Sequence, residues 1–190
     1  MPPVDPAIVY DYDPRDLPAE YLQAIGLVTA AAAQTEHIEQ MFIAACLGID
    51  GEYGAAVTTH MTAPLRDNVA RAAAELRIND VDALDLLDNL LDEVQAAAGK
   101  RNDVVHHGWC RDPNSGAVFT QKNTARGSVR VDLIPMSIDQ IKGDATFVYE
   151  AGMKLLNFMT RYKLWPDVAP LRPRGHKTKA ARKARAKKGG

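Results

Sequence analysis

An all-α fold, a single-domain bundle of about five helices with a short β-hairpin or structured loop before the last one, is what this sequence predicts. Three observations carry that expectation. Apolar residues recur near the helical period through most of the chain, glycine and proline mark short breaks between the periodic segments, and only one stretch changes its period. A chain of 190 residues is long enough to bury one core and short for two. With 46% apolar and 25% charged residues, disorder of the whole chain is excluded.

Residues 1–16, rich in proline and aspartate, read as an extended lead. The segment LPAEYLQAIGLVTAAAAQTEHIEQMFIAACLGI is a long alanine-rich helix, with Leu27, Ala31, Ile38, Met41, Phe42 and Ala45 recurring on one face. Gly51 and Gly54 mark a break. AAVTTHMTAPLRDNVARAAAEL then reads as two short helices, the second capped by Thr62, with Pro64 in the first turn where a missing N–H costs nothing. The fourth segment, VDALDLLDNLLDEVQAAAGKRNDVVHHG, has Leu86, Leu87, Leu90, Leu91, Val94 and Ala97 on one broad apolar face. Asp82, Asp85, Asp88, Asp92 and Glu93 line the other, most simply as a solvated face. After Gly108 the turn signals DPNSG and ARG frame the runs AVFT and VRVDLI, which read as one or two short hairpin strands or a structured loop, with Trp109 as its anchor. Ser137 and Gln140 form a capping box that opens the last helix, and Trp165-Pro166 closes it. The helical domain is thus expected over residues 17–164.

The net charge of −1 conceals an uneven distribution. From Arg172 to Gly190 there are nine basic residues and no acid; taking the nine from 23 leaves 14 basic against 24 acidic residues, a net of −10. A basic tail over residues 165–190 without apolar periodicity is expected to be disordered. Two readings stand for it: phosphate contacts with nucleic acid, or a solubilising tail with no single partner. No basic n-region precedes an apolar run, and no eighteen apolar residues stand in succession, so neither export nor membrane insertion is expected and a cytoplasmic location is. Cys46 and Cys110 lack metal-ligand spacing and read as reduced thiols, Cys46 as a core residue.

The stretch RNDVVHHGW, residues 101 to 109, stands apart. On an unbroken helix Arg101 shares the bearing of Leu90 and Val94, an odd place for a guanidinium. It should reach a carboxylate, Glu36 and Glu39 being the candidates on the first helix, or lie where a ligand or partner meets the domain. His106 lies about 140° from Arg101 on a straight helix, so the two converge only if the helix tightens or ends before Gly108, or if two copies pack together. An arginine fork, an imidazole and an amide suit an anionic phosphodiester.

Arg101-Asn102, followed after three residues by His106, at the end of the fourth helix of a small bundle, resembles the motif of HEPN domains. There an arginine and a histidine have four to six residues between them, and Asn, Asp or His commonly adjoins the arginine. His106 leaves four between and His107 five, and the ending HHGW is also similar to that of many members. The resemblance implies a usually dimeric helical fold with two motifs facing one groove, and in many members a metal-independent endoribonuclease acting as a toxin or phage-defence effector. It implies no cofactor and no metal, RNA as substrate, a homodimer, and in some members a nucleotidyltransferase antitoxin as partner. By analogy Arg101 binds phosphate, His106 performs acid/base chemistry and Asn102 orients; His107 is the alternative histidine. Arg111, Lys122, Arg126 and Arg130 give the excursion a basic character that could grip RNA, or are simply solvated. His37, His60 and His176 lack spaced partners and read as surface residues. Against the enzyme stand a catalytically silent module that binds nucleic acid or protein, and a bundle in which the motif is coincidence.

Overall fold

A computed structural model of the chain describes residues 9–125 and 129–168. Five helices run in chain order: α1 (Ala19–Cys46), α2 (Gly51–Thr58), α3 (Ala63–Arg77), α4 (Val81–Val105) and α5 (Ile138–Arg161). Between α4 and α5 lie β1 (Gly108–Arg111), β2 (Val118–Ala125) and β3 (Val129–Pro135), an antiparallel sheet in the order β1-β2-β3. The helical bundle matches the expected class, while a three-stranded sheet replaces the expected loop or pair of strands and makes the fold less than all-α. Among the described residues no helix is long and apolar enough to cross a membrane. Of the predicted tail over residues 165–190, residues 165–168 are described, and Asp167 is tied back to the start of α2, its amide donating to the Ile49 carbonyl at 3.3 Å; the rest lies outside the described residues.

Side-chain caps fix where the helices begin. Asp50 accepts from the amides of Glu52 and Tyr53 at 2.9 and 3.0 Å, Asp80 from Asp82 and Ala83, and Ser137 from Gln140 at 3.2 Å. Gly51 is the first residue of α2, so this glycine marks a helix start rather than a gap in helical structure. Thr62 occupies the N-cap position of α3, but its side chain makes no capping bond. The last helix ends at Arg161, four residues before Trp165, and Lys163 takes a left-handed φ of 55° just beyond it.

The core has two parts. The larger gathers Ile38, Phe42 and Ile43 of α1 with Leu87 and Leu91 of α4 and Leu155 of α5. The smaller joins Ala24 and Val28 of α1 to Val104, Met136 and Ile141, with Trp109 packed against it. Helices α1 and α5 share the most extensive contact in the bundle. At its centre Thr35 Oγ1 donates to the Val148 carbonyl at 2.8 Å, and Gly152 lies so close that an added Cβ would meet Thr35 Oγ1 at 2.5 Å. Cys46 and Cys110 are buried free thiols, and burial pushes the Cys46 thiol up to about 12.

The first half of α1 departs from its predicted face. Ala24, Val28 and Ala32 are buried, and Leu27 is 49% exposed, one position off the expected register. On α4, Leu87, Leu91, Val94 and Ala97 are buried as expected while Leu86 lies outside at 41%. The acidic face of α4 is partly engaged: Arg71 of α3 bridges Asp88 and Asp92, each at 2.7 Å, and Lys154 of α5 holds Glu93 at 2.6 Å.

Candidate functional site

The end of α4 builds the site. The helix stops at Val105, and His106 takes the cap position with φ −103° and ψ −7°, its amide donating to the Asn102 carbonyl at 3.1 Å. Two features hold this exit. Val104 is fully buried in the smaller core, and Trp109 Nε1 donates to the Val104 carbonyl at 2.9 Å. The helix therefore ends before Gly108, one of the conditions under which Arg101 and His106 can meet, and they do.

Arg101 Nη1 donates to Asn102 Oδ1 at 3.1 Å and contacts His106 Nε2 directly. A guanidinium has only donors, so Nε2 is the ring atom placed to accept in this contact. Arg101 is half-buried, while Asn102 and His106 are exposed. All three line a pocket of about 350 Å³. Helix α1 contributes Thr35, Glu36 and Glu39 to it, the α2–α3 connection contributes Met61 and Thr62, and α3 contributes Arg66.

Of the two alternatives for Arg101, a carboxylate partner or a place where a ligand meets the domain, neither Glu36 nor Glu39 supplies the first. Glu36 and Glu39 belong instead to Arg66, whose Nη2 lies 3.2 Å from Glu36 Oε1 and whose Nε donates to Glu39 Oε2 at 2.8 Å. Arg66 Nη1 also donates to the Met61 carbonyl at 3.0 Å. Arg66 and Glu39 are buried to 5% and 3% exposure, and burial pushes the Glu39 carboxyl above its ordinary range, with the Arg66 hydrogen bond pulling the other way. Arg66 was not singled out in the sequence. Its signal was available, because it shares a helical bearing with the buried Ala70, Ala73 and Ala74.

His107 is turned away from this cluster. It is half-buried, its Nδ1 lies 4.0 Å from Asp103 Oδ1, and it does not line the pocket. The basic residues of the excursion are spread over the sheet. Lys122 of β2 reaches Asp103 at 3.4 Å, Arg130 of β3 pairs with Asp132 at 2.8 Å, and Arg111 of β1 is half-buried with an Nε that has no hydrogen-bond partner among the described residues. Arg126 lies outside the described residues. His37 and His60 are exposed, in keeping with their reading as surface residues, and His176 lies outside the described residues.

In comparisons with family models, with characterised proteins and with solved structures, no match to this chain was found.

Proposed function

We propose that the chain is a metal-independent endoribonuclease of HEPN type, cleaving RNA by attack of the ribose 2′-OH. The observation that carries this reading is the meeting of Arg101, Asn102 and His106 at one pocket. His106 Nε2, the ring nitrogen that meets Arg101, would serve as the general base. When a phosphodiester enters, its oxygens replace Nε2 as acceptors for the Arg101 fork. His106 then takes the proton of the 2′-OH, the 2′-oxygen bonds to phosphorus, and Arg101 stabilises the charge of the phosphorane-like transition state. The P–O5′ bond breaks, and an imidazolium protonates the departing 5′-oxygen. In a composite dimer site the second copy supplies that imidazolium. The products are a 2′,3′-cyclic phosphate and a 5′-OH. A role as toxin or phage-defence effector, with a nucleotidyltransferase antitoxin as partner, follows only from the family analogy. In this reading Asn102 orients Arg101, and Arg111, Lys122, Arg126 and Arg130 grip the RNA beyond the scissile bond.

Cleavage of single-stranded RNA in the presence of EDTA tests the proposal. Wild type should cut, and Arg101→Ala and His106→Ala should each lose activity by about 10²-fold or more. His107→Ala should lose far less, since that ring stands outside the pocket. Circular dichroism confirms that each variant is folded before its activity is compared. Ultracentrifugation tests the composite site, which requires a homodimer. Wild type that binds RNA and leaves it intact near neutral pH, with or without metal, would replace this reading with the silent binding module.

A further inference from the structure

The α1 side of the pocket poses an electrostatic problem for any ligand made only of phosphate. Glu36 and Glu39 bring two carboxylates to it and Arg66 one compensating charge, so a net negative charge remains on that wall. A phosphate is drawn to Arg101 and repelled by Glu36. What suits Glu36 is a neutral group rich in N–H donors. The lining also includes small apolar residues, Ala32, Val94, Ala97 and Val148, all buried, and such walls fit a flat ring. The volume of about 350 Å³ lies at the lower end of small-molecule sites, which span about 300–1,000 Å³.

The donor set narrows the ligand further. Arg66 is anchored by Glu39 and by the Met61 carbonyl, and its Nη2 lies 3.2 Å from Glu36 Oε1. The Glu36 side chain is 42% exposed, so its carboxylate is accessible to a ligand as well as to Arg66. Guanine is the one RNA base with two adjacent donors on its Watson–Crick edge, N1–H and N2–H₂. Adenine and cytosine set a ring acceptor beside their amino group, and uracil flanks its N–H with two carbonyls, so a carboxylate repels part of each. We infer that this pocket is a guanine site, in which Glu36 reads the donor edge of the base, Arg66 positions Glu36, and Arg101 holds the attached phosphate. The inference rests on the nuclease reading only for the source of the guanine, a guanosine in single-stranded RNA beside the cut or a free guanine nucleotide.

Calorimetric titration of the full chain with the four nucleoside 3′-monophosphates tests the site. Guanosine 3′-monophosphate should bind about tenfold tighter than the other three, the discrimination expected of one two-donor contact to a carboxylate. Glu36→Gln should flatten the preference to within about threefold, because an amide offers one acceptor and one donor. Arg101→Ala should weaken all four alike. Arg66→Lys should lower the preference for guanine more than the overall affinity, a ratio that a purely structural role would not move. Equal binding of the four, or a preference that survives Glu36→Gln, overturns the inference. Two RNA oligomers that differ by one G→A replacement separate the sources. Tighter binding of the G-containing strand, with cleavage beside that base, places guanine in RNA. A preference confined to the mononucleotide supports the site with a free nucleotide as its occupant, and absence of cleavage then removes the nuclease reading alone. Cleavage at all four bases, with equal mononucleotide binding, keeps the nuclease and removes the guanine site.

Discussion

Two arginines sit on helix bearings that are otherwise apolar, and they meet different fates. Arg66 is fully committed inside the fold, with Glu39, Glu36 and the Met61 carbonyl as partners. Arg101 is half-buried, and its partners Asn102 and His106 belong to its own helix end. Arg66→Met should therefore destabilise the fold by about 3–5 kcal/mol in urea denaturation, since Glu39 would stay buried without its counter-charge. Arg101→Ala should cost far less. Glu39 also carries a pH signature. Its folded pKa is raised above the ordinary 4.5, so its contribution to stability is fully present below that value and is lost as pH rises through the folded pKa. Glu39→Gln removes this slope, and the melting temperature of the variant should decline less steeply than that of wild type as pH rises from 4.5. That Arg101 stands out was legible in the sequence because a charge on an apolar bearing is conspicuous, and so were Asn102 and His106 beside it. That neither Glu36 nor Glu39 would reach it was not, because Arg66 takes both carboxylates from a position 27 residues beyond Glu39.

At the scale of elements, what the sequence conceals depends on how many neighbours a helix has. Helix α1 touches α2, α3, α4 and α5, and Phe42, Ile43, Ala44, Ala45 and Cys46 at its end are buried in succession. Its C-terminal half therefore shows no clean stripe, and a face extrapolated along the whole helix was off by one residue in its first half. Helix α5 was easier to read, since Ser137 and Gln140 announce its start. The runs AVFT and VRVDLI fall on β2 and β3, whereas β1 has only four residues, too few for length or alternation to mark a third strand. The close approach of α1 and α5 gives a direct test. Gly152→Ala should destabilise by about 1–3 kcal/mol, because the added methyl meets the Thr35 side chain and its backbone Cα at 3.1 Å. Gly26→Ala and Gly143→Ala, with nothing within 4 Å of the new Cβ, should each stabilise by about 0.5–1 kcal/mol. Thermal melts of the three variants check both signs at once.

For the whole molecule, charge is divided between a net −10 over residues 1–171 and nine cations in residues 172–190. If those cations contact phosphate, removing residues 172–190 should weaken RNA binding and flatten its dependence on salt, with the melting temperature nearly unchanged. Titrations at several salt concentrations measure the slope, and a large drop in melting temperature would show the segment docked on the fold. The pocket depends on the whole chain in a different way. Its lining runs from Ala32 to Val148 and draws on α1, α3, α4 and α5 together with the α2–α3 connection. No single helix or hairpin contains enough of it to bind anything, so the site comes into being only with the complete tertiary fold. Occupancy and folding are consequently linked equilibria: a ligand present at 100 times its dissociation constant adds about 2.7 kcal/mol to the free energy of unfolding. A melting temperature that climbs with the logarithm of ligand concentration would report binding without any label or activity. Slowed amide exchange would then extend beyond the pocket to the buried turns of α1 and α5, because those turns can open only when the site is empty.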